Sequence, residues 1–201
     1  MSTRTVAEAQ TRKRVFLVVL LALFVVPPML AWLLVGKWRP AGHVNHGELL
    51  NPARPVFPLR LQRPAGGEVT EAYLHGRWTL VYLGVPCDER CQKGLYTIRQ
   101  VRLALGKDRQ RAQTLFIMTD TPEATLLPWL EQEHPQLTAG VADTETLDFF
   151  AHAFPGGTAV PGEWLYLIDP LGNLFMRYRL SDNPKGILTD LQRVLQYSAL
   201  G

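Results

Sequence analysis

Two cysteines, Cys87 and Cys91, are the only thiols in this 201-residue chain, and they stand four positions apart in GVPCDERCQKGL. That pair supports three chemistries: thiol–disulfide exchange, binding of a soft metal, or a structural disulfide. Residues i and i+4 of a helix share a face with Cα atoms about 6 Å apart, within reach of a disulfide. An apolar run precedes the pair and a helical pattern follows it, which puts Cys87 in a loop or the first helical turn. There, unpaired N–H groups and partial positive charge stabilise a thiolate. A thiolate is the nucleophile of disulfide exchange and also a soft ligand for Cu(I). Asp88 and Glu89 oppose a thiolate and favour a cation, while Arg90 offsets one of them. A staple closing so small a loop gains little entropic stabilisation, so the active roles rank first and the staple last.

Copper held stably, above all Cu(II), calls for imidazole beside the thiolates. His75 precedes an apolar run, at its end remote from the cysteines. His134 ends a helix at EHP, and His152 lies within a helix in FFAHAF. Each reads first as a surface or capping histidine. His43 and His46 fall in a Pro- and Gly-rich linker, where a metal role is the weaker reading.

The elements that carry the pair follow from hydrophobic patterning. Residues 1–14 are a basic tail with Arg4, Arg12, Lys13 and Arg14 against Glu8, and the rest of the chain is balanced at seventeen basic and seventeen acidic residues. The net +3 therefore reports a tail and gives no reason to expect nucleic acid as a partner. Val15–Gly36 holds 22 residues without a charge, long enough at ~1.5 Å per residue to cross a bilayer. It is too long, and its flank GKWRPAG too poor a cleavage site, for a cleaved leader. Four basic residues precede it and two follow closely. The positive-inside rule then predicts a single-pass inner-membrane protein, with a cytoplasmic N-terminus and residues 37–201 in the periplasm or an equivalent exported compartment. Disulfides persist there, which moves the cysteine pair away from zinc and toward redox chemistry or copper.

Residues 37–55 read as a linker. Beyond it, VFPLRLQ and EVTEAYL predict two strands around Gly66-Gly67. RWTLVYLGV and QTLFIMTD predict buried central strands. Leu95, Ile98, Val101 and Leu105 predict a helix after Cys91, and Thr121-Pro122-Glu123 a second one that Pro128 must kink or restart. Asp143-Thr144 opens a helix to about His152, EWLYLID and LFMRYRL form a hairpin, and Pro184 opens the last helix. Strands alternating with helices give an α/β layered sheet. A cysteine pair between the first buried strand and the first long helix is the layout of a thioredoxin-like domain, predicted over residues 56–201.

On these residues the sequence resembles the Sco/SenC family, membrane-anchored thioredoxin-like copper proteins that assist assembly of cytochrome c oxidase. LHGRWTLVYLGV is similar to that family's LKGKW-LLIYFGF strand, Cys87-x-x-x-Cys91 to its CxxxC motif, and YLIDPLGNLFMRY to its YLIDPDGRF hairpin. The resemblance covers roughly residues 56–197 and the anchor. It implies a role in oxidase assembly through thiol–disulfide exchange, with Cys87 attacking and Cys91 resolving. It also implies Cu(I) as a ligand of both cysteines, and an oxidase subunit or another copper or assembly protein as partner. Three departures stand out. The loop before Cys87 is one residue shorter, Gln92 replaces a proline, and Pro161 occupies the place of the family's third copper ligand, a histidine. The redox role is therefore expected ahead of copper. Pro161 is expected instead as the cis-proline that thioredoxin-like redox domains set before the strand facing the cysteines. The alternatives are a general exported thiol–disulfide oxidoreductase or peroxidase-like enzyme, and a binding scaffold with an inert disulfide.

Overall fold

The computed structural model describes residues 3–34, 45–85, 88–155 and 159–198. The chain divides into two units, residues 1–43 and 44–201. The first contains helix α1, Thr3–Leu34, which runs unbroken through Pro27 and Pro28. Within its segment Arg12–Leu34 an 18-residue stretch has a mean hydropathy of 2.6 and none of that stretch is buried, so its apolar side chains have no protein core to enter and the helix is a candidate membrane span. The tail expected over residues 1–14 is helical from Thr3 onward.

In the second unit, apolar runs build an eight-stranded sheet. Its strands are β1 (Glu48–Pro55), β2 (Arg60–Gln62), β3 (Glu68–Thr70), β4 (Trp78–Gly84), β5 (Ala112–Met118), β6 (Leu137–Ala142), β7 (Trp164–Ile168) and β8 (Asn173–Arg179). They lie in the order β1-β8-β7-β4-β5-β6-β2-β3. β4, β5 and β6 are parallel, and the remaining pairings are antiparallel. All seven residues of β4 and of β5 are buried. Strands covered on both faces lose the apolar/polar alternation and read as continuous apolar runs, which is why these two were visible in the sequence. Trp78, Leu80 and Tyr82 enter one core layer with Leu95, Ile98, Ile187 and Leu191. Val81 and Leu83 enter the other with Phe150, Phe154 and Tyr166. Helices α2 (Glu89–Ala104) and α5 (Pro184–Tyr197) cover the first layer. Helix α4 (Thr144–His152) covers the second. Each buried Leu, Ile or Phe contributes roughly 1.5–3 kcal/mol.

Three expectations are corrected. The linker predicted to reach residue 55 ends earlier, because Glu48–Pro55 pairs with β8 as an edge strand and buries Leu50. Pro52 and Pro55 masked it, yet an edge strand tolerates proline on its unpaired side, and the ladder is irregular between Leu49 and Arg54. EVTEAYL is a strand only to Thr70, after which Glu71–Leu74 turns as a 3-10 helix. Helix α3 (Leu126–Glu133) starts later than Thr121-Pro122-Glu123 implied. Pro128 is then its third residue, where the missing N–H has no helical acceptor to lose.

Candidate functional site

The cysteine motif follows the C-terminal end of β4. Cys87 lies outside the described residues, so its expected role as attacking thiol has no geometry here. Cys91 sits in the first turn of α2, is fully buried and is disulfide-bonded. Asp88 is the N-cap of α2, and its carboxylate accepts the Cys91 backbone N–H at 3.0 Å. An aspartate there satisfies one of the helix's unpaired donors and suits the positive end of the dipole. It also sets a negative charge beside the cysteines.

Below this turn lies Tyr82, buried in β4 and stacked on Phe116 at 5.6 Å. Gly94 lets α2 rest directly on it: a Cβ at residue 94 would lie 2.6 Å from the Tyr82 ring. The phenol is driven well above its ordinary pKa, first by burial and then by the charge of Asp88, with Arg90 opposing. Its hydroxyl reaches toward the turn at residues 160–163, 3.5 Å from where a Cβ on Gly162 would be.

That turn corrects the expectation for Pro161. The cis X-Pro bonds among the described residues are Asn51-Pro52 and Phe57-Pro58, and Val160-Pro161 is not one of them. Instead Glu163 N–H donates to Val160 O at 3.3 Å, and Gly162 has φ +88°. Proline first and a positive-φ glycine second make a type II turn, which takes a trans proline. The turn is docked on the cysteine strand, because Gly162 N–H donates to Leu83 O at 2.8 Å. Tyr82, Gly94 and Gly162 were not singled out from sequence, and Asp88 was read there for its charge and not as the cap of α2. Only Asp88 carried a local signal, as a capping residue before a helical stripe.

The histidines do not gather here. His75 lies beside Gly172 in the β7–β8 hairpin, at the far end of β4 as expected. His134 is buried against Trp129, with ring centroids 5.2 Å apart. Burial first, then Arg99, lowers its pKa and favours the neutral ring. His152 pairs with Asp148 at 3.1 Å on the exposed face of α4, and His46 pairs with Asp190 at 3.1 Å. His43 lies outside the described residues. No cluster of three His, Cys, Asp or Glu side chains suited to a metal occurs among the described residues. The donor set implied by the resemblance is incomplete. Pro161 stands where that set has its histidine, and its side chain offers no ligand atom.

A family model described as transmembrane-like, thioredoxin-like, C-terminal domain matches residues 78–198. No curated protein matches the sequence significantly. Among solved structures, copper-bound ScoI of Bradyrhizobium japonicum is 26% identical with a TM-score of 0.52, over 68% of this chain and 96% of that one. Copper-bound yeast Sco1 is 20% identical with a TM-score of 0.59, over 74% of this chain and 91% of its own. BsSco, a Sco-family cytochrome c oxidase assembly protein in which a disulfide switch was identified, is 16% identical with a TM-score of 0.56, over 73% and 96%. The last two likenesses establish the fold alone. By the match over residues 78–198 the chain belongs to the transmembrane-like, thioredoxin-like C-terminal domain family, and it is structurally similar to the Sco/SenC proteins over most of its length.

Proposed function

We propose that this protein is a Sco-like thiol–disulfide exchange factor for cytochrome c oxidase assembly. It is held in the inner membrane by α1, with residues 44–201 in the periplasm or an equivalent exported compartment. The observation that carries the reading is the disulfide-bonded Cys91 in the first turn of α2, one CxxxC motif beyond a buried central strand. Cys91 has no exposed surface, which suits the resolving role assigned to it.

In the reductive direction the Cys87 thiolate attacks one sulfur of a client disulfide, and a mixed disulfide forms as the client's other sulfur leaves as thiolate. The Cys91 thiolate then attacks the Cys87 sulfur, so the client leaves with two thiols and the pair becomes the disulfide. A thiol reductant in the same compartment must restore it. The helix N-terminus stabilises the thiolates, and the Asp88 cap limits that stabilisation. Since the donor set does not complete the Sco copper site, no step here passes through copper.

The full chain in detergent tests this. A reduction potential in the range of thioredoxin-like proteins, about −270 to −120 mV, supports exchange. So does a loss of oxidase activity in membranes lacking the protein that Cys87→Ser fails to restore. A potential below about −300 mV would leave a static staple. Rapid turnover of generic disulfides or peroxides without an oxidase phenotype would favour a general exported oxidoreductase. A Cu(I) titration that saturates at one ion per chain and is lost in Cys91→Ser would restore the carrier role.

A further inference from the structure

Away from the cysteines, helix α2 presents Arg99 and Arg102 to a cavity of about 410 Å³. The two stand three positions apart and so share a helix face. Arg109, from the 3-10 turn Gly106–Arg111, lines the same space. The opposite wall is the α3–β6 connection, with Glu133, His134 and Gln136, and the floor includes Leu95, Ile98 and Leu137.

The charges do not cancel. Glu133 is the one carboxylate among the lining residues, and it pairs with Arg99 at 3.6 Å. Arg102 donates to neutral acceptors, the Ala112 carbonyl at 2.7 Å and the Gln136 side chain. Arg109 makes no ion pair among the described residues. His134, held toward its neutral form, adds no charge. Two positive charges are left over. Burial and the nearby Arg109 and Arg77 lower the pKa of Arg102, a sign of cationic crowding that an anion would relieve. The Nε donor of Arg99 is buried without an acceptor.

We infer that this cavity binds the phosphate group of an organic phosphate monoester. A single carboxylate is satisfied by one guanidinium fork, whereas a phosphate offers three oxygens to donors arriving from α2 and the 3-10 turn together. A phosphate monoester carries about −1.5 to −2 at neutral pH, which matches the two uncompensated charges. The volume exceeds what an inorganic ion needs, and the leucine and isoleucine floor receives the organic body. The same chemistry is offered by a soluble metabolite or by a phosphatidic acid headgroup, and the two sources separate experimentally.

Full-length protein in dodecyl maltoside would be titrated with glycerol 3-phosphate and, separately, with mixed micelles carrying phosphatidic acid. Saturable binding of either probe is expected, weakened by salt. Arg109→Gln should weaken it roughly ten-fold, the loss of one charge-assisted contact. Glu133→Gln should strengthen it. Arg109 makes no side-chain ion pair among the described residues and is exposed, so that variant keeps the test clean, and thermal midpoints without ligand verify it. Binding of glycerol 3-phosphate identifies a soluble ligand, and binding of phosphatidic acid alone a lipid. No saturable binding of either probe, or equal binding by wild type and Arg109→Gln, overturns the inference.

Discussion

The turn at Cys91 and the buried carboxylate of Asp190 are both polar sites on helices that cover the same face of the sheet, and they are treated in opposite ways. Asp190, on α5, is 1% exposed and fully engaged. It accepts the backbone N–H of His46 at 2.8 Å and of Gly47 at 3.2 Å, the Tyr178 hydroxyl at 3.2 Å and the His46 ring at 3.1 Å. It clasps the start of the domain to its last helix. At the other site Asp88 satisfies one backbone donor and raises the Tyr82 pKa, and the disulfide-bonded Cys91 lies in a helix's first turn. A buried charge with every partner in place fixes structure. A polar group whose partners are few, beside a sulfur that can change oxidation state, is where chemistry remains available.

The largest test of this contrast is Asp190→Ala. It takes the acceptor from two half-buried backbone donors and leaves the buried Tyr178 hydroxyl only the Met176 sulfur, and stability should fall by about 3 kcal/mol in a denaturant titration. The reduction potential of the cysteine pair should barely move. A matching shift in potential would mean the two regions are coupled. Next is Gly94→Ala. Its new methyl must displace the Tyr82 ring, at about 1–3 kcal/mol, and because α2 moves with it the potential should shift too. Unchanged stability would show that α2 has room to yield.

Asp88→Asn should be milder. Asparagine caps a helix as well as aspartate does, so the unfolding midpoint should hold. Removing the negative charge favours the thiolates, and the potential should rise by a few tens of millivolts, where 30 mV is about 1.4 kcal/mol. A fall would reverse the role assigned to Asp88. The smallest effect concerns pH. The folded state depresses the His134 pKa, so its contribution is whole above about 6.5, where the imidazole is neutral folded or unfolded. As pH drops below that value the unfolded chain takes up a proton first, and stability declines until the folded pKa is passed. His134→Gln should flatten that part of the stability–pH curve. An unaltered curve would assign the slope to other groups.

The sheet was legible where burial is two-sided or turn chemistry is strong. β4 and β5 are uninterrupted apolar runs, and the β7–β8 hairpin is marked by Pro170-Leu171-Gly172-Asn173. β1 was hidden because its stability comes from pairing with β8, more than a hundred residues away, and its own prolines argue for a linker. Pro161 was misread because the peptide isomer depends on the turn it enters, and Gly162 docked on Leu83 selects a type II turn. Gly94 was invisible as a contact, since a glycine in a helix shows its purpose only through what packs over it.

The sequence alone determined that an uncharged helix precedes a thioredoxin-like domain and that two cysteines stand between its first buried strand and first long helix. Those properties are local: hydropathy, period and spacing act over a few turns of chain. Tertiary structure decided which polar groups are spent. It gave Asp190 its four donors, set Asp88 over Tyr82, left Pro161 trans, and drew Arg99, Arg102 and Arg109 around one cavity. The reason is physical. Burial and Coulomb interactions depend on distance in space, and the chain brings those groups together only when the sheet and its helices close.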